Sequence, residues 1–83
     1  MKMKDIEILM MDGCTKSEAE KHLEHGTSVL DDFEENFDSY MNEWGIEEEE
    51  KEKYKKMVDE KEPAEDWGIV ENCGKTYYIM YCL

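Results

Sequence analysis

The chain has 83 residues, enough for one domain and too few for two. Its 23 acidic and 10 basic residues give a net charge of −13, and every base is a lysine. With no arginine to grip phosphates in bidentate fashion, this charge argues against direct binding to nucleic acid or an anionic membrane, and any electrostatic partner is expected to be a protein with a basic surface.

Residues 4–12 place Ile6, Leu9 and Met10 at i, i+3, i+4, a helical face that Gly13 stops. Alternation of Ile6, Ile8 and Met10 leaves a strand as the other reading of this element. Thr15-Lys-Ser-Glu18 has capping-box form, and the helix it opens runs over about 16–25 through Ala19 and Leu23 to Gly26.

Ser28 is placed to cap a third helix over about 29–44, with Asp31 and Asp32 in its first turn. Leu30, Phe33, Phe37, Tyr40, Met41 and Trp44 then form one apolar stripe at helical spacing, expected to be core. A fourth helix over about 47–60 opens on Glu47, Glu48, Glu49 and Glu50, favoured there by the helix dipole. Lysines follow, with Glu47–Lys51 and Glu49–Lys53 spaced for i, i+4 pairs. Ile46, Tyr54, Met57 and Val58 are its core-facing residues, and Pro63 ends it.

The tail, about 67–83, reads as an antiparallel β-hairpin. Asn72 and Cys73 suit a type I turn with Gly74 at a left-handed bulge, which sets Ile69 opposite Tyr77 and Trp67 opposite Ile79 on the face that covers the helices. In that register the second strand outruns the first. Its end would be a free edge unless the N-terminal segment covers it. The reading is a small α+β domain spanning residues 1–83, three to four helices followed by a hairpin.

A hydrophobic share of 40%, with two tryptophans and five tyrosines, argues against full disorder. Cys14, Cys73 and Cys82 are odd in number, which excludes a complete disulfide framework and points to reduced thiols in the cytoplasm. The apolar run Ile8–Met11 is too short for a signal peptide, and no segment approaches the roughly 20 apolar residues of a membrane span.

Motifs for catalysis or cofactors are not evident. His22 and His25 stand at i, i+3, but with Cys14 they fall short of the four closely spaced ligands of a zinc site. Asp31–Asp38 is rich in carboxylates but lacks the spacing and central glycine of a calcium loop. Neither a phosphate-binding glycine loop nor a nucleophile elbow is present. No cofactor, metal or catalytic residue is therefore assigned. The charge is local instead: residues 27–50 carry ten acids and no base. Asp31, Asp32, Glu35, Asp38, Glu43 and Glu47 to Glu50 are the candidate partner-binding residues. Two functions fit them: a non-enzymatic acidic protein-interaction module, or a DNA-mimic inhibitor of a nucleic-acid-binding protein such as a defence nuclease.

Two resemblances add to this. Leu9-Met-Met-Asp-Gly13 with Ala19 and Leu23 resembles the first turn and helix of ubiquitin-associated domains over about 15 residues, with Cys14 in place of the ligand-contacting aromatic. Asp5–Gly13, Phe33-Glu-Glu-Asn-Phe37, Asp66-Trp-Gly-Ile-Val70 and Gly74–Ile79 resemble a family of small acidic proteins of gut bacteria, often encoded near phage or conjugative-element genes. The second resemblance implies a bacterial cytoplasmic accessory protein and assigns no residue a role.

Overall fold

In the computed structural model, which describes residues 3–82, the elements run α1 (Met3–Met11), α2 (Lys16–Glu24), β1 (Ser28–Leu30), α3 (Phe37–Trp44), α4 (Glu48–Glu60), β2 (Trp67–Asn72) and β3 (Lys75–Met80). The three strands form one antiparallel sheet in the order β1–β3–β2. The domain is α+β, and its first element is helix. Among the described residues no helix is long and apolar enough to cross a membrane.

The third predicted helix is corrected. Ser28–Leu30 is a strand, residues 31–36 turn, and helix begins only at Phe37. The cause is tertiary: β3 is central, and its second row of backbone groups needs a partner. Ser28, Val29 and Leu30 supply it opposite Met80, Ile79 and Tyr78. The edge expected to be free, or covered by the N-terminal segment, is thus covered by β1. The apolar stripe survives the break, because the turn at 32–36 keeps helical hydrogen bonding, Asn36 N–H to Asp32 C=O at 3.0 Å. Leu30, Phe33, Phe37, Tyr40, Met41 and Trp44 all join one core cluster.

The hairpin is corrected by one residue. Its turn is the pair Cys73-Gly74, both at positive φ (53° and 75°), and Asn72 pairs directly with Lys75. This is a type I′ turn, whose twist matches that of the strands, and glycine at its second position carries no steric penalty. Tyr77 therefore faces Val70, Tyr78 faces Ile69, and Trp67 faces Met80. A one-residue slip exchanges the faces of a strand, so the expected division into one core face and one outer face does not hold. Tyr77, Tyr78 and Ile79 are consecutive and all buried.

Both faces of the sheet are covered. Ile6, Ile8, Leu9 and Ala19 from α1 and α2 pack with Val70, Tyr77 and Ile79 on one side. Phe33, Met41 and Met57 pack with Tyr78 on the other, with Trp67 and Ile69 beside them. Strands covered on both faces read as continuous apolar runs rather than alternating ones, which is the pattern of residues 77–80. In α1 the expected face shifts: Ile8 is fully buried and Met10 is exposed, because α1 packs against both α2 and the sheet.

Local chemistry fixes the ends. The capping box forms as read, Glu18 N–H to Thr15 Oγ1 at 3.1 Å and Thr15 N–H to Glu18 Oε1 at 3.0 Å. The Thr15 backbone N–H holds the Glu18 carboxyl below its ordinary range. Thr15→Ala is expected to lower stability by about 1 kcal/mol, read as a lower denaturant midpoint at unchanged slope. The predicted Glu47–Lys51 and Glu49–Lys53 pairs do not form. Lys51 reaches Asp38 instead, at 3.8 Å.

Candidate functional site

Leu30 ends β1 beside Tyr78, and the chain turns off the sheet edge through Asp31–Asn36. That turn is held from three sides. The Tyr78 hydroxyl donates to Glu34 Oε1, and Lys61 Nζ at the end of α4 donates to the same oxygen at 2.5 Å and to Thr76 Oγ1 at 3.1 Å. Lys75 Nζ lies 3.4 Å from Asp31. Within the turn, Asp32 accepts from Asn36 Nδ2 at 3.1 Å and from the Tyr40 hydroxyl at 2.6 Å. Exposed ion pairs of this kind contribute about 0–1 kcal/mol each, so they set the shape of the turn more than its stability.

Donation from Lys61, then from Tyr78, holds the Glu34 carboxyl below the usual range. Burial first, and then the bond to Glu34, raise the Tyr78 phenol. The bond to Asp32 pushes the Tyr40 phenol up to about 12. Asp31, Asp32 and Glu34 are thus engaged within the chain.

The acids left facing outward border a groove. It lies between the 34–39 segment and α4 and holds about 590 Å³. Glu34, Glu35 and Asp38 line one wall, and Glu48, Glu52 and Asp59 line the other, with Lys51 and Lys55 between them and Phe37 and Val58 as its apolar part. A smaller hollow of about 160 Å³ takes in Asp31, Asp32, Glu34 and Glu35 with Lys75 and Thr76. Glu34 and Glu35 border both, so the two form one acidic tract.

Of the sequence candidates, the structure gathers Asp31, Asp32, Glu35, Asp38 and Glu48 on this tract. Glu43, Glu47, Glu49 and Glu50 are exposed but line neither hollow. Sequence reasoning passed over Glu34, Glu52 and Asp59. The signal for the last two was present: residues 48, 52, 55 and 59 recur at helical spacing along one face of α4.

A second polar group lies at the opposite end of the sheet. The Tyr81 hydroxyl donates to Asp12 Oδ2, Cys14 Sγ lies 3.9 Å from that hydroxyl, and the His22 ring meets the Tyr81 ring edge-on at 5.1 Å. Among the described residues no three His, Cys, Asp or Glu side chains are placed to hold a metal ion. His22 and Cys14 pack around a tyrosine rather than converging on a common point. No known protein family matches the chain, and searches of characterised proteins and of solved structures return no relative.

Proposed function

We propose that this chain is a non-enzymatic, acidic protein-binding module of the bacterial cytoplasm, whose groove between residues 34–39 and α4 receives a basic segment of a partner protein. The observation that carries this reading is the groove itself. Five carboxylates, Glu35, Asp38, Glu48, Glu52 and Asp59, border about 590 Å³ together with two lysines, and one of those lysines, Lys51, is already drawn to Asp38. A complementary surface gains association rate and selectivity from such a field. Phe37 and Val58 add the apolar contact that charge alone lacks.

Reversing the wall with Glu35→Lys, Asp38→Lys and Glu48→Lys together is expected to weaken capture of basic partners at physiological salt at least tenfold while leaving the melting transition in place. Saturable capture of the same proteins by the variant and the parent chain would end this reading. The mimic reading draws on the continuity of the tract from Asp31 to Asp59. Lys51 and Lys55 interrupt that run of carboxylates, which favours a peptide groove over a phosphate-like array. Displacement of the chain from a captured partner by duplex DNA would reverse that preference.

A further inference from the structure

The sheet offers a docking place that the groove does not use. β3 is paired on both sides, whereas β2 has one partner and six residues. The phase of its hydrogen bonding is fixed at both ends. The two-residue turn makes Asn72 and Lys75 a mutually bonded pair. At the other end Tyr81 N–H bonds Asp66 C=O at 3.0 Å, while Trp67 N–H points away from β3 to Ala64 C=O at 3.0 Å. The alternation of an antiparallel ladder then turns Gly68, Val70 and Asn72 inward, and the N–H and C=O of Ile69 and Glu71 outward. Among the described residues neither outward amide has a hydrogen-bond partner.

The usual protections of a sheet edge are a bulge, a proline, a lysine or a very short strand. β1 has the last, at three residues. β2 lacks the bulge, the proline and the lysine: its ladder runs through six consecutive pairs, and its one charged side chain is the exposed Glu71. The charge around it is predominantly acidic. Exposed Glu62, Glu65 and Asp66 lead into the strand and exposed Glu71 lies on it. Of the nearby lysines, Lys61 is held by Glu34 and Thr76, Lys75 lies 3.4 Å from Asp31, and Lys4 sits over the Tyr77 ring.

We propose that the free edge of β2 binds an extended basic segment of another protein as a fourth, antiparallel strand. Ile69 and Glu71 each exchange two backbone hydrogen bonds with it. Their side chains share one face, so the incoming residue opposite Glu71 is Lys or Arg, and the one two positions later, opposite Ile69, is apolar. The motif is basic–any–apolar, read from its N-terminus. A second copy of this chain is disfavoured as the occupant, because it would bring together two chains of charge −13. The proposal stands on the sheet and is independent of the acidic groove.

The test uses the whole isotope-labelled chain and two capped peptides, Thr-Lys-Thr-Val-Thr and Thr-Glu-Thr-Val-Thr. Saturating lysine peptide is expected to slow exchange of the Ile69 and Glu71 amide hydrogens at least tenfold, and the glutamate peptide to leave them unchanged. Glu71→Pro removes an outward N–H without touching the ladder to β3, a position where edge strands accept proline. It is expected to abolish the response at Ile69 while protection of Val70 and Tyr77 persists. Glu71→Lys is expected to transfer the response to the glutamate peptide, and Glu35→Lys in the groove to leave it intact. Three results would overturn the proposal: equal response to both peptides, a response confined to Glu35, Asp38 and Glu48, or protection of Ile69 that rises with protein concentration alone.

Discussion

Phe33→Ala is expected to destabilise the chain by about 3–5 kcal/mol, the largest loss from any single side chain on the α3/α4 face. Phe33 is fully buried, and its ring centroid lies 5.1–6.1 Å from those of Phe37, Tyr40, Trp44, Trp67 and Tyr78. It comes from the 33–36 turn, so it also ties the acidic tract to the core. At about 0.05–0.15 kcal/mol per residue, a domain of this size holds about 4–12 kcal/mol in all. The truncation therefore removes about a quarter of the total or more, and it leaves a cavity that five large aromatic side chains cannot readily close. Urea unfolding followed by tryptophan fluorescence measures it, as a fall in midpoint at unchanged slope. Phe33→Leu, which keeps most of the volume, is expected to cost under about 1.5 kcal/mol. A loss below 1 kcal/mol for the alanine variant would mean that this ring is not the centre of the cluster in solution.

The same residue shows what was legible in the sequence. The 3–4 spacing of Leu30, Phe33, Phe37, Tyr40, Met41 and Trp44 named half of the core correctly even though the helix drawn through it was too long. The spacing reports which residues face inward, and a strand end, a turn and a helix can share that facing. Hidden from the sequence was the demand made by β3. Its need for a second hydrogen-bonding neighbour converts Ser28–Leu30 from cap and first turn into a strand, and no local pattern around Ser28 announces a partner about fifty residues away. The hairpin failed for a smaller reason. Asn-Cys-Gly suits either loop length, and the choice between them moves Tyr78 from one sheet face to the other.

The carboxylates divide in the same way. Their concentration in residues 27–50 was plain, but not which of them the fold would engage. Tyr40, Tyr78 and Tyr81 each spend their hydroxyl on an acid, Asp32, Glu34 and Asp12 respectively. These pairs join residues 8, 44 and 69 positions apart. Gly68 belongs to the last of them: a Cβ there would lie 2.5 Å from Asp12 Oδ2 and 3.1 Å from Tyr81 Cε2. That glycine lets β2 pass beneath the bond that closes α1 against the end of β3. Of the ten acids in residues 27–50, Asp31, Asp32 and Glu34 are thus structural. Glu35, Asp38 and Glu48, joined by Glu52 and Asp59 from beyond that run, line the groove instead.

Those three tyrosine–carboxylate pairs predict a cooperative loss of structure in alkali. An unfolded tyrosine ionises near 10. A phenol with a higher value in the fold stabilises it fully below that point, and the contribution is lost as pH rises through the folded value. For Tyr40 the window is therefore pH 10 to about 12, set first by its bond to Asp32 and then by burial. Tyr78 and Tyr81 are raised further, in both cases by burial first and by the accepting carboxylate second. Each must give up its proton beside a negative charge, within a chain that already carries −13, so repulsion over the whole molecule works in the same direction. The phenolate absorbance is expected to show these three ionising late, with the last steps coinciding with loss of helical circular dichroism. Asp32→Asn removes the charge next to Tyr40 and is expected to bring that phenol down from about 12 toward 10, leaving Tyr78 and Tyr81 late. Phenols that all titrate together near 10 while the fold persists would mean that the hydroxyls point to water, and the turn bearing the acidic tract would then lose two of the bonds that shape it.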